Sequence, residues 1–134
     1  MRVGSSWVKE EHDMAMPVLA VDDSAPIREM ISSLLAQRGY RVMTAESGYA
    51  ALDLLRQAGE PHIILLDVVM PGLDGVGVVR AINEDTTLCA AAHRIILMSS
   101  PLRLAARDIP ASAAQLPKPF TRQQLLHAVE ALGS

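Results

Sequence analysis

From Pro17 onward the chain alternates short unbroken apolar runs with longer stretches in which apolar residues recur every three or four positions. The first pattern suits strands covered on both faces, and the second suits helices covered on one. Val18 to Val21 reads as a strand that stops at Asp22-Asp23. Ser24 then caps a helix whose first turn accepts Pro26. In that helix Ile27, Met30, Ile31, Leu34 and Leu35 keep to one face, and Gly39 ends it. Residues 40–45, YRVMTA, form a second and weaker strand. Ser47 opens a helix carrying Ala51, Leu52 and Leu55, closed by Gly59-Glu60-Pro61. The third strand is HIILLD, 62–67. The third helix is GVGVVRAINE, weakened by Gly75 and Gly77, and the fourth strand is RIILMS, 94–99. Pro101 and Pro110 bracket a segment, Leu102 to Asp108, with room for about two helical turns. A short strand over Ala113 to Leu116 and the stretch LPKPF follow. The last helix starts at a capping box, Thr121-Arg122-Gln123-Gln124, and buries Leu125, Leu126, Val129 and Leu132.

Five apolar strands alternating with five helices predict an α/β fold, a doubly wound parallel sheet covered on both faces. Residues 1–16 show no sustained periodicity and carry mixed charge, so they read as a flexible extension. Trp7 gives that arm one group able to dock on the domain or a partner. Residues 17–134 form the domain.

Composition narrows the picture. Half the residues are hydrophobic but only one Trp, two Tyr and one Phe are present, so the core is aliphatic. A formal charge of −3 provides no basic face for nucleic acid. The single Cys89 rules out an internal disulfide and reads as a small apolar core residue. No apolar run reaches the roughly 18 residues of a membrane span, and no secretion signal is legible. The expectation is a soluble cytoplasmic domain that binds neither nucleic acid nor membrane.

In parallel sheets of this kind ligands bind beyond the carboxyl ends of the strands. Those ends hold the candidate chemistry: Asp22 and Asp23 after strand one, Asp67 after strand three, Ser99 after strand four and Lys118 after strand five. A lone acid at a strand end is ordinarily a turn residue. The joint arrangement at four ends reads as a site. Carboxylates about 4 Å apart repel by about 4 kcal/mol per pair at an effective dielectric near 20, more than one lysine offsets. A divalent cation with oxygen ligands would, and such a site suits Mg²⁺. Zinc is disfavoured, because His12, His62, His93 and His127 lack ligand spacing and read as surface or structural residues. With the metal held mainly by Asp23 and Asp67, the Asp67 carboxylate can attack a phosphoryl group. Mg²⁺ and Lys118 would offset charge on its oxygens, and the Ser99 hydroxyl could donate to one of them.

The text VDDS (21–24), LLDVVMPGLDG (65–75), ILMSS (96–100) and KPF (118–120) resembles the receiver domain of two-component response regulators. The resemblance covers residues 17 to about 132. It implies a flavodoxin-like five-stranded sheet of strand order 2-1-3-4-5. It makes Asp67 the phosphoacceptor, Asp23 a direct Mg²⁺ ligand, Asp22 a ligand acting mainly through water and the Val69 backbone carbonyl a further ligand. Ser99 falls at the switch hydroxyl position, Lys118 at the lysine position and Pro119 in a cis bond, while Met70-Pro71 and Gly75 match the loop after the acceptor. The implied partners are a sensor histidine kinase or a histidine phosphotransfer protein, with homodimerisation through helix four, strand five and helix five. The family is not enzymatic beyond its own phosphorylation and dephosphorylation. The chain would be a stand-alone regulator or a receiver excised from a larger protein.

Two departures stand out. Gln115 occupies the position, three before the lysine, where the family carries Tyr or Phe. The interval from Ser99 to Lys118 is 19 positions, shorter than is common, which shortens helix four. Ser100 also replaces a smaller residue beside the switch position and narrows access to the phosphoryl group. Two other function classes compete. An aspartate-nucleophile phosphohydrolase would want a second acid two residues past Asp67, where Val69 stands. An interaction module without phosphorylation would leave the strand-end acids structural. Nucleotide binding is disfavoured, since neither G-x-x-x-x-G-K-[ST] nor G-x-G-x-x-G occurs.

Overall fold

A computed structural model describes residues 16–88, 92–106 and 113–133. Five parallel strands form one sheet in the order β2-β1-β3-β4-β5. They are β1 (Val18–Val21), β2 (Val42–Ala45), β3 (Ile63–Asp67), β4 (Arg94–Ser99) and β5 (Ala114–Pro117). The helices are α1 (Ala25–Ala36), α2 (Gly48–Ala58), α3 (Gly75–Glu84), α4 (Pro101–Ala106) and α5 (Arg122–Gly133). The expected fold class and strand order are both present.

Strand periodicity of two decides which helix each strand residue meets. Leu19, Val21, Ile64, Leu66 and Leu97 face α2 and α3, packing with Ala51, Leu52, Leu55, Val78, Val79 and Ile82, and with Leu104 of α4. Val18, Ala20, Ile63, Leu65, Ile96 and Met98 face α1 and α5, packing with Ile31, Leu34, Leu35, Leu125, Leu126 and Val129. β1 and β3 are buried along their whole length, which is why both read as unbroken apolar runs. The edge strand β2 is only partly buried, in keeping with its weaker pattern.

The helix starts follow the expected caps. The hydroxyl of Ser24 accepts from the Ile27 N–H at 3.4 Å, and that of Ser47 from the Ala50 N–H at 3.1 Å. At α5 the capping box closes reciprocally: the Thr121 hydroxyl accepts from the Gln124 N–H at 3.1 Å, and the Gln124 side chain accepts from the Thr121 N–H at 2.8 Å.

Several boundaries moved, and β3 begins at Ile63 rather than His62. β2 begins at Val42 rather than Tyr40, with the Arg41 carbonyl accepting from the Val18 N–H as its lead-in. β5 is displaced by one residue, to Ala114–Pro117. Pro117 needs no N–H there, since it ends an edge strand. α4 begins at Pro101, one residue before the expected segment, and is described as far as Ala106. A 3₁₀ turn at Thr86–Leu88, for which apolar periodicity offers no signal, follows α3. The proposed arm with Trp7 and His12, the role of Cys89 and the stretch from 107 to Pro110 lie outside the described residues.

Candidate functional site

The strand register builds the site. Val21 pairs with Leu66, so one step further along the chain Asp22 stands beside Asp67. Asp67 pairs with Met98, and Ser99 with Pro117, so Ser99 and Lys118 close the other side of the same edge. The Lys118 N–H donates to the Ser99 carbonyl at 2.8 Å and holds the two strand ends together. The Lys118-Pro119 peptide bond is cis, as the resemblance implied.

The acidic side chains converge. Asp22, Asp23 and Asp67 each present a carboxylate oxygen within 4.8 Å of the others. Asp22 is 1 % exposed and Asp67 5 %, whereas Asp23 faces solvent. Asp22 is held from three directions. Its Oδ1 accepts from the Ser24 N–H at 2.9 Å, its Oδ2 pairs with Lys118 Nζ at 2.7 Å, and its backbone carbonyl accepts from Arg28 at 2.7 Å. Asp67 has fewer partners: the Val69 N–H reaches its Oδ1 at 3.3 Å, and Lys118 Nζ lies 3.5 Å from the same oxygen.

That imbalance has an electrostatic consequence. Burial, followed by the neighbouring Asp22 carboxylate, pushes the Asp67 carboxyl up to about 6, with a smaller push from Asp23; Lys118 and the Val69 N–H pull the other way. One ammonium therefore does not neutralise the cluster. The hard oxygen donors and the residual negative charge fit a divalent cation of the Mg²⁺ type.

The loop after Asp67 is shaped by close approach. A side chain at Gly75 would stand 2.5 Å from the Asp67 carbonyl oxygen and 2.8 Å from Val68 Cα, so α3 can start beneath the end of β3 only with glycine there. The Gly75 N–H donates to the Val68 carbonyl at 2.9 Å, and the side chain of Asp74 caps α3 by accepting from the Gly77 N–H at 2.8 Å. Gly72 takes φ of 77°, the left-handed turn between them. Val69 is 43 % exposed beside this loop.

Every site residue proposed from sequence thus lies at the same sheet edge. Ser99 is buried there, while the Ser100 hydroxyl turns to α4 and accepts from the Arg103 N–H at 3.3 Å. Gln115 is exposed on β5. Arg28 was not anticipated. Its place one turn into α1 after the acidic pair is the signal that could have found it.

A family model described as the response regulator receiver domain matches residues 18–130. A response regulator named MprA from Mycobacterium sp. (strain KMS) is 35% identical over 122 residues, covering 89% of this chain and 51% of that protein. Among solved structures, the chemotaxis response regulator CheY4 of Vibrio cholerae superposes with a TM-score of 0.75 at 32% identity, covering 87% of this chain and 97% of that one. Response regulator TrrA of Thermotoga maritima, solved in complex with Mg(2+)-BeF, gives a TM-score of 0.75 at 29% identity, covering 87% and 98%. The chain spans about half or less of the length of the curated relatives it matches.

Proposed function

The chain belongs to the response regulator receiver domain family of two-component systems, and from that premise we propose that Asp67 is its phosphoacceptor, charged from a histidine kinase or a histidine phosphotransfer protein. The observation that carries this reading is the buried Asp67 carboxylate, short of hydrogen-bond donors and flanked by two further acids and one lysine.

Asp23 and Asp67 would hold Mg²⁺ with the Val69 backbone carbonyl, and Asp22 would act through water. When bound, the ion supplies a Lewis acid that draws charge from phosphoryl oxygens. A carboxylate oxygen of Asp67 attacks phosphorus. The bond from phosphorus to the donor nitrogen breaks, and the imidazole leaves with that electron pair. Lys118, already between Asp22 and Asp67, moves its ammonium to a phosphoryl oxygen, and Ser99 donates its hydroxyl proton to another. Val69 leaves the position two past the acceptor without an acid or base, which favours a retained phosphoryl group over rapid turnover of small substrates. The protein then catalyses nothing beyond its own phosphorylation and dephosphorylation.

Incubation with acetyl phosphate and Mg²⁺, followed by intact mass measurement, tests this. A single phosphoryl adduct that needs both Mg²⁺ and Asp67 is expected. An adduct that persists in Asp67→Asn, or phosphate release over many substrate equivalents without an adduct, would reject it.

A further inference from the structure

The opposite end of the sheet carries a second polar cluster that phosphoryl chemistry does not use. His62 immediately precedes β3 and His93 immediately precedes β4, so the two continue the register in which Ile63 pairs with Arg94. His62 is fully buried. Its backbone N–H donates to His93 Nδ1 at 3.0 Å, and its carbonyl accepts from the Arg94 N–H at 3.0 Å. Its ring Nδ1 lies 2.8 Å from the Glu60 carbonyl. A carbonyl only accepts, so that nitrogen carries a proton. The buried Nε2 has no hydrogen-bond partner among the described residues. The His93 ring centroid stands 6.1 Å from that of His62.

We propose that His93 is a proton-sensitive latch: its bare Nδ1 fastens the lead-in of β4 to the base of β3, and protonation of that nitrogen releases it. The geometry allows one state only. A backbone N–H cannot donate to a nitrogen that bears its own proton, and the His62 N–H has no other acceptor in that position. Protonated His93 therefore sets donor against donor at a half-buried site.

Among the described residues, the charges on the flanking elements are engaged elsewhere. On the stretch before β3, His62 is titratable, and the Glu60 carboxylate is turned to Arg41 at 3.5 Å. On β4, the Arg94 guanidinium donates to the Leu132 carbonyl at the end of α5. Just after α3, the Asp85 carboxylate pairs with Arg56 of α2 at 3.1 Å. Burial first, then the neighbouring His62 ring, holds His93 below its ordinary 6.5. Because the opened form regains the ordinary value, it binds the proton more readily. The latch is intact above about pH 6.5 and weakens as pH falls below it.

The test uses the whole chain and the variant His93→Asn, whose side-chain oxygen can accept the His62 N–H but cannot titrate near neutrality. In the wild type, amide-exchange protection of His62, corrected for intrinsic rates, should fall by up to about tenfold for each pH unit below roughly 6.5, while His93→Asn stays flat. Equal pH dependence in both proteins would overturn the proposal. Should the variant fail to fold, imidazole nitrogen shifts of the wild type decide it: Nδ1 unprotonated at neutral pH and titrating below 6.5 is expected. Titration at or above that value, or a protonated Nδ1, would reject it. Phosphorylation by acetyl phosphate at neutral pH should be equal in wild type and variant, so failure of the latch and failure of the phosphoacceptor reading are separately visible.

Discussion

Lys118 Nζ lies 2.7 Å from Asp22 and 3.5 Å from Asp67, so the lysine is committed to the buried neighbour of Asp67 rather than to Asp67 itself. The geometry leaves Asp67 underserved while keeping a cation within reach of whatever it binds.

Removing that cation separates its two roles. Lys118→Ala should leave Mg²⁺ affinity largely intact, because the acids remain, but should weaken the response to phosphorylation. It should also push the Asp67 carboxyl above 6, since Lys118 is a leading influence holding it down. Losing one partner of a buried pair should destabilise the metal-free protein by about 2 kcal/mol, less than for a fully enclosed pair because Lys118 keeps contact with water. Carboxyl NMR titration and urea unfolding check this. Wild-type behaviour in both would remove the role assigned to Lys118.

Asp67 itself works against stability in the metal-free protein. Its folded value, about 6, lies above the ordinary 3.8, so the folded state holds the proton more tightly than the unfolded state. Stability associated with this group is present below pH 3.8 and is lost as pH rises through about 6. Asp67→Asn should therefore stabilise the metal-free protein at pH 7. The difference corresponds to roughly 3 kcal/mol at most, and water at the site should reduce it to about 1–2 kcal/mol. The gain should vanish near pH 4. Unfolding curves at both pH values check it, and a destabilised variant at pH 7 would contradict the account.

Mg²⁺ should reverse that sign. Binding only the folded state at one hundred times its dissociation constant adds about 2.7 kcal/mol. Thermal unfolding of the wild type should rise with added Mg²⁺, fall back with chelator, and respond less below pH 6, where Asp67 is protonated. Asp23→Asn should weaken that response about tenfold or more in Mg²⁺ concentration while leaving the metal-free midpoint nearly unchanged, since the Asp23 side chain is exposed. A large loss of metal-free stability would show that Asp23 is structural instead.

Much of this was legible because the informative residues obey local rules. The runs at β1 and β3, the serine caps and the Thr121–Gln124 box each act within a few residues, and burial selects the same pattern that the eye finds. The site was legible for a different reason. Strand ends are chemically exceptional places for Asp22, Asp67, Ser99 and Lys118, although Lys118 and Asp22 lie 96 positions apart. What stayed hidden depends on partners without a pattern. His62 meets His93 across 31 positions through a backbone N–H, a donor every residue but proline possesses. Arg28 serves a backbone carbonyl, and the shift of β5 by one residue turns on whether an edge position needs its N–H.

The loop after the acceptor supplies the sharpest steric prediction. A methyl at Gly75 would meet the Asp67 carbonyl oxygen at 2.5 Å and Val68 Cα at 2.8 Å, both backbone atoms of the acceptor strand that cannot step aside singly. Gly75→Ala should cost about 3 kcal/mol or more, with α3 displaced and phosphorylation slowed. Gly59→Ala is the control. Gly59 has φ of 66° with nothing within 4 Å of the added carbon, so only backbone strain opposes the change, about 1 kcal/mol. Its distance along the chain from the acceptor loop should leave acetyl phosphate labelling unaltered. Denaturation midpoints and labelling rates of the two variants distinguish crowding from strain: equal costs would mean that α3 relaxes freely, and the glycine would then owe its place to something other than the close approach beneath Asp67.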